Sequence, residues 1–417
     1  MWRYPWRYAE GFAICIGLFV TGAVLQYLLG PLVLTNFRYP VNLIFALFYL
    51  LALGGLSGIS KRNKYVFWFT QQEAAITSMA SLLVLVIIMG FTRQIPSLHL
   101  LASPHDSSMF DHLGFHQMTR SYSFVLLYLY FLSILGITTL RRLSQFTWND
   151  VTFVMNHLGL FVALLAGMLG TSDRQRLRMQ TKLAQVEWRA TNEEDQLVEL
   201  PLAIELQSFT IEQYPPKLLI ISNETGEALP VSQPHSLLVE QVPVSGDFLT
   251  WQVEVTTFLP MAAAVVTGDT IRYVNFETHG ATSALYVKAS KGNVIKEGWV
   301  SAGNHMFPHC ALTLDSLHSI VMPEREPKRY ASEVKVYTKK SGRETRAVIE
   351  VNKPLKIEGW KIYQLSYDET MGRWSDISIF ELVKDPWLPY VYIGIVFMLI
   401  GAIGLFIVAQ KEEVRND

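Results

Sequence analysis

Ten histidines are spread along 417 residues, and only His157 falls inside an apolar run, Phe153-Val154-Met155-Asn156-His157-Leu158-Gly159-Leu160. An ionisable side chain is costly in hydrocarbon, so one placed there is a functional hypothesis by default. A neutral imidazole can ligate haem iron through one nitrogen while a polar neighbour orients the other, here Asn156 or a group on another helix. The competing reading is a histidine hydrogen-bonded to a neighbouring helix for packing, and the residues alone leave both open. Gly159, Gly167 and Gly170 would let a flat macrocycle or a second helix approach closely, and small-residue packing explains them equally well.

Two further groups carry weaker signals. His99, His105, His112 and His116 crowd residues 98–117, and Asp111-His112-Leu113-Gly114-Phe115-His116 sets two imidazoles at i and i+4. A helix would align such a pair for metal or haem. With no cysteine and no third ligand, a solvated loop with incidental histidines is the favoured reading. His305, His309 and Cys310 form a similar loose trio, again read as merely buried or exposed. Cys15 lies in an apolar run and Cys310 in a polar segment, so the two cysteines are not expected to pair. The sequence contains no Gly-rich phosphate loop, HExxH or GxSxG elbow, which disfavours a self-sufficient ATPase or hydrolase.

The elements that must position these residues are written in the composition. Half of the residues, 50%, are hydrophobic and 17% are charged, and the mean hydropathy is positive, a balance that soluble domains rarely show. The formal net charge of −1 offers no field for nucleic acid. About six windows are long enough to cross the bilayer as helices, at residues 11–34, 41–56, 74–91, 122–140, 151–170 and 388–409. Tyr27, Leu28 and Leu29 stand where a signal peptide would want small residues, so the first window is expected to be retained. Lys61, Arg62 and Lys64 follow the second window, and Arg141 and Arg142 follow the fourth, which marks those loops as cytoplasmic. By alternation Arg3, Arg7, Lys411 and Arg415 share that side, and both termini are expected in the cytoplasm. Arg174, Arg176, Arg178 and Lys182 oppose the scheme, but long domains translocate largely regardless of charge. Trp2, Trp6, Trp148 and Trp387 suit an interfacial belt.

Between the fifth and sixth windows the pattern turns to short alternating stretches broken by Gly, Pro, Asn and Asp, which predicts an all-β domain. Leu200, Leu202, Ile204 and Leu206 share one strand face, as do Trp251, Val253 and Val255, and residues 332–351 read as a hairpin about Lys340-Ser341-Gly342. Residues 175–189 are read as a continuation of the fifth helix. At about 210 residues the domain can bury its own core. The expected fold is therefore a membrane protein of about six transmembrane α-helices with a large extracytoplasmic all-β domain inserted before the last helix. Its parts would be residues 1–120 (three helices and the histidine loop), 121–171 (two helices), 172–386 (the β domain) and 387–417 (the last helix and tail).

Three stretches together resemble one family. They are the Asn156-His157-Leu158-Gly159 helix before the domain; Asn352-Lys353-Pro354-Leu355 followed by Gly359-Trp360-Lys361-Ile362-Tyr363-Gln364-Leu365-Ser366-Tyr367; and Val383-Lys384-Asp385-Pro386 leading into Leu388-Pro389-Tyr390. In wording and order they are similar to the ResB (CcsB) proteins of system II cytochrome c biogenesis. The resemblance implies a component of the bacterial inner membrane that works with a CcsA (ResC) type partner to export haem b and attach it to apocytochrome c. Such a chain is not catalytic alone but forms part of a holocytochrome c synthase, with a thioredoxin-like thiol reductant and membrane lipid as further partners. It also implies that His157 is the transmembrane haem ligand, with Asn156 and Gly159 as neighbours, and leaves His112 and His116 unassigned. The usual family member has fewer spans before the domain, so residues 1–120 do not align simply. The partner's tryptophan-rich WWD segment is absent, and Trp360 and Trp374 do not stand in for it. The alternative is a membrane-anchored β domain that binds a partner without haem.

Overall fold

The computed structural model of the chain describes residues 2, 4–95, 109–268 and 270–416. Arg3, His99 and His105 lie outside them. Among the described residues six helices are long and apolar enough to cross a membrane: α1 (Tyr8–Leu29), α2 (Val41–Ile59), α3 (Gln72–Phe91), α4 (Tyr122–Ser144), α5 (Val151–Asp173) and α6 (Leu388–Asn416). Each satisfies its backbone internally, as hydrocarbon requires. The chain is a multi-pass membrane protein. It divides into two compact units, the helices and the bulk of the β domain.

In the helical unit α4 is the hub. It packs against α1, α2, α3 and α5, and 44% of its apolar window is buried against 11% for α6. Leu127, Leu132, Ile134 and Ile137 fill its contacts, while Phe48, Leu51, Ile403 and Phe406 stay exposed, as acyl-facing residues do. The α5–α6 pair is different, because here backbones meet directly. A Cβ on Gly159 would stand 2.5 Å from the Gly394 carbonyl oxygen, and one on Gly394 would stand 2.6 Å from the Gly159 carbonyl. Gly401 and Gly404 continue the seam against Asn156 and Thr152. Small residues permit this approach, which lets van der Waals contact hold two helices that water cannot push together.

At the end of this pair sits Asp173, the last residue of α5. Its carboxylate accepts hydrogen bonds from the Tyr39 N–H (2.8 Å), the Asn42 amide (2.7 Å) and the Trp387 indole (2.7 Å). A carboxylate at a helix C-terminus opposes the helix dipole, and these three donors offset that. They tie the start of α2, the end of α5 and the approach to α6 to one residue. Arg38 adds a bond to the Ser172 carbonyl.

Among the described residues the β unit holds three sheets. The largest has eight strands in the spatial order Glu344–Glu350, Pro327–Thr338, Leu197–Gln213, Val186–Thr191, Gln175–Lys182, Ile377–Lys384, Trp360–Tyr367 and Leu355–Ile357. Its first strand also contacts its last two, so the sheet is nearly closed. Inward residues alternate along each strand, and Met179, Ile204, Leu206, Val336, Ile349, Trp360 and Phe380 form the interior. Two smaller sheets bury a second core around Leu218, Phe248, Trp251, Val253, Val255, Leu285 and Ile320. One is built on Trp251–Thr267 and Thr282–Lys291, the other on Lys217–Ser222 and His318–Val321. The hairpin pairs Val334 with Ala347 and Val336 with Thr345, as its alternation predicts.

Residues 175–189 are not a helical continuation. Gln175–Lys182 is a strand in which Leu177, Met179 and Thr181 are buried and Arg176, Arg178, Gln180 and Lys182 are exposed. That is a period of two, and four basic or amide side chains take the open face.

Asp173→Ala is expected to leave the Trp387 indole and the Tyr39 N–H without an acceptor and to cost about 2 kcal/mol or more. Thermal unfolding of the detergent-solubilised chain reads this, and an unchanged midpoint would show that the clamp carries no weight.

Candidate functional site

His157 sits in the second turn of α5, and its ring lies stacked on Phe153, centroids 3.8 Å apart and planes 23° apart. Nδ1 is 3.0 Å from the Phe153 carbonyl oxygen. A carbonyl only accepts, so Nδ1 carries the proton and the lone pair of the neutral ring is on Nε2. Nε2 makes no hydrogen bond among the described residues. One nitrogen is thus fixed to backbone and the other is available, which is the arrangement metal-ligating histidines use.

Phe153 is itself supported from the α4–α5 turn. The Arg142 guanidinium stands 5.5 Å from the Phe153 ring centroid, and its Nε donates to Asp150 at 2.7 Å. Asp150 also accepts from the Thr147 hydroxyl (2.7 Å) and N–H (3.1 Å). The Thr147 hydroxyl, then its N–H and Arg142, hold this carboxyl below the usual carboxylate range against the opposing effect of burial. Asp150, Arg142 and Phe153 therefore form a relay that ends under the imidazole. From its position in a basic loop Arg142 is expected to have only a topological role, and the signal that links it to His157 is the aromatic residue at i−4.

The other residues of the motif turn away from the imidazole. Asn156 donates to the Met398 carbonyl of α6 (3.2 Å), and Gly159 is filled by the α6 backbone. It is the Phe153 carbonyl, not Asn156, that orients the ring. Gly170 meets Trp387, and Gly167 faces open space.

The loop histidines are not aligned on a helix. The short helix Met109–His112 ends before Gly114, which takes φ +78°, and a 3₁₀ segment follows at Phe115–Arg120. The break comes from that left-handed glycine. His116 Nδ1 lies 2.7 Å from the Arg93 carbonyl and Nε2 faces Asp111 at 3.5 Å, while the His112 ring meets Tyr27 edge-on. His305 and His309 are exposed. Cys310 is a free thiol donating to the Trp299 carbonyl at 3.3 Å, and burial pushes its pKa up, which disfavours the thiolate. Cys15 is free and buried. Among the described residues no group of three or more His, Cys, Asp or Glu side chains could hold a metal ion.

The two stretches in and after the β domain have a structural logic. Asn352 takes φ +65°, a left-handed conformation that Asn tolerates, in the turn that separates Glu344–Glu350 from Leu355–Ile357. Glu358 and Gly359, at φ +47° and +84°, make the two-residue turn of the next hairpin, which pairs Ile357 with Trp360. Trp360 then enters the core at 3% exposure. Gln364 is buried, accepting from the Ser332 hydroxyl (2.6 Å) and donating to the Ser366 carbonyl (2.8 Å). Tyr367 stacks with Phe209. Asp385 accepts from the N–H groups of Trp387 and Leu388 and so caps α6.

Glu350, at the edge of the Asn352 turn, is pulled down to about 2 by hydrogen bonds from Arg329 and Lys353. A lowered carboxylate pKa means that its contribution is present above the usual range and fades as pH falls toward about 2. The stability difference between wild type and Glu350→Gln is therefore expected to shrink between pH 5 and pH 2, followed by denaturant unfolding at each pH. A gap independent of pH would rule out the ion pairs as its source.

The model of the ResB-like family matches residues 274–377, the part of the β unit that contains the Asn352 turn, the Trp360 strand and Gln364. No curated protein matches the chain. The match implies involvement in cytochrome c biogenesis in general terms. Residues 274–377 of the β domain are thus similar to the ResB-like family.

Proposed function

We propose that the chain is a haem-handling component of system II cytochrome c biogenesis, in which His157 supplies one axial ligand to haem b passing through the membrane. The observation that carries this reading is the bond from Nδ1 to the Phe153 carbonyl, which leaves Nε2 as a pre-aimed lone pair on an apolar helix. In this reading the basic turns after α2 and α4 face the cytoplasm, both termini share that side, and the β domain is extracytoplasmic. His157, six residues into α5, then lies about 9 Å from its cytoplasmic end. The second ligand comes from a CcsA (ResC) type partner.

Two imidazoles would keep the iron six-coordinate and limit its oxygen chemistry until the vinyl groups meet the thiols of apocytochrome c. A thioredoxin-like reductant keeps those thiols free. The β domain receives the apocytochrome or braces the partner, and attachment is an activity of the complex as a holocytochrome c synthase, not of this chain alone.

The test is the visible spectrum of the complex purified with its partner. His157→Ala is expected to lower the haem that co-purifies at least about tenfold, the loss of roughly one axial bond's worth of affinity, and His157→Gly with added imidazole to restore a six-coordinate spectrum. Haem content unchanged in both variants would overturn the assignment.

A further inference from the structure

Within the β unit a cleft of about 100 Å³ is lined in part by Arg325 and Arg373. The two guanidinium groups are held by neutral acceptors only. Arg325 donates from Nε to the Tyr214 carbonyl (2.9 Å) and from one terminal nitrogen to that of Gln213 (3.4 Å). Arg373 donates to the carbonyls of Ala281 (2.8 Å) and Pro260 (3.4 Å). Among the described residues no carboxylate lies within ion-pair distance of either. Burial lowers the pKa of both, and for Arg373 the charge of Arg325 adds to the effect, so the two cations stand close enough to repel.

Backbone carbonyls fix the orientation of a guanidinium without neutralising it. Two half-buried like charges in one cleft, each with N–H donors left over, lack a counter-charge. Glu324 and Glu369 line the same cleft but are exposed, and neither forms an ion pair with Arg325 or Arg373 among the described residues. Trp374 and His305 also line the cleft; Trp374 donates from its indole to the Ala281 carbonyl (3.0 Å), and His279, next to the lining, packs on Trp374 and His305.

We infer that the Arg325 and Arg373 cleft is a binding site for the carboxylate of a ligand whose body lies outside it, against Trp374 and His279. The shape of the donor set favours this class, since guanidinium forks match planar carboxylates. The size favours a head group, because about 100 Å³ is well below the roughly 300–1,000 Å³ of a pocket that encloses a whole ligand. The site is independent of His157 and of anything that residue binds. Its ligand is either a flat ring acid or the C-terminal carboxylate of a peptide.

The experiment uses the full chain in neutral detergent, with 4-fluorobenzoate and N-acetylglycine as probes and benzyl alcohol and inorganic phosphate as comparators, read by ligand-observed NMR. Arg325→Gln and Arg373→Gln are each expected to weaken binding of the preferred probe about tenfold, and the double variant to abolish it, while Glu369→Gln retains it. Tighter binding of 4-fluorobenzoate supports a ring acid, and tighter binding of N-acetylglycine supports a peptide terminus. A rise in the wild-type unfolding midpoint with the probe but not with benzyl alcohol supports the site without any variant. Equal binding to wild type and double variant, or equal competition by phosphate, would overturn the carboxylate assignment.

Discussion

The contact on which the membrane unit turns is the glycine seam between α5 and α6. Lipid gives helices no hydrophobic reason to associate, so two that must stay together need close backbone approach and shared polar bonds. Gly159, Gly394, Gly401 and Gly404 supply the first, and the Asn156 amide on the Met398 carbonyl and the Trp387 indole on Asp173 supply the second. These are also the helices by which the chain leaves for the β domain and returns from it. Once one face of α5 is committed to α6, the ring of His157 is left to lie along its own helix on Phe153.

This division of α5 separates residues that are adjacent in sequence but not in role. Asn156 and Gly159 keep the helix in place, whereas His157 is held by a carbonyl one turn back and by a ring that Arg142 and Asp150 support. The same separation recurs in the β domain. Asn352, Glu358 and Gly359 set turn geometry, Gln364 joins neighbouring strands, and Asp385 caps α6, so these residues answer folding requirements more than chemistry. The unneutralised charges of that domain, on the half-buried Arg325 and Arg373, lie in a separate cleft with Trp374.

Much of the architecture was legible because its signals are local. An apolar run of about twenty residues has one solution in lipid, and Val334, Val336, Ala347 and Ile349 alternate with a period that only a hairpin satisfies. The failures came where a local pattern was overruled by a neighbour. Residues 175–189 follow a helix, but Leu177, Met179 and Thr181 obey a period of two and join a sheet whose other strands lie far along the chain. The acceptor for His157 Nδ1 was invisible because a backbone carbonyl leaves no mark in a sequence. The pairing of Arg325 with Arg373 was hidden by the chain that separates them.

Asp173 and the glycine seam have one more consequence. The outgoing and returning ends of the β domain are fastened to each other by contacts that do not involve the domain itself. A protease cut anywhere between them would sever the polypeptide yet leave both fragments joined within the bilayer, so the two pieces should travel as a single particle, and separately made halves have a ready interface on which to reunite.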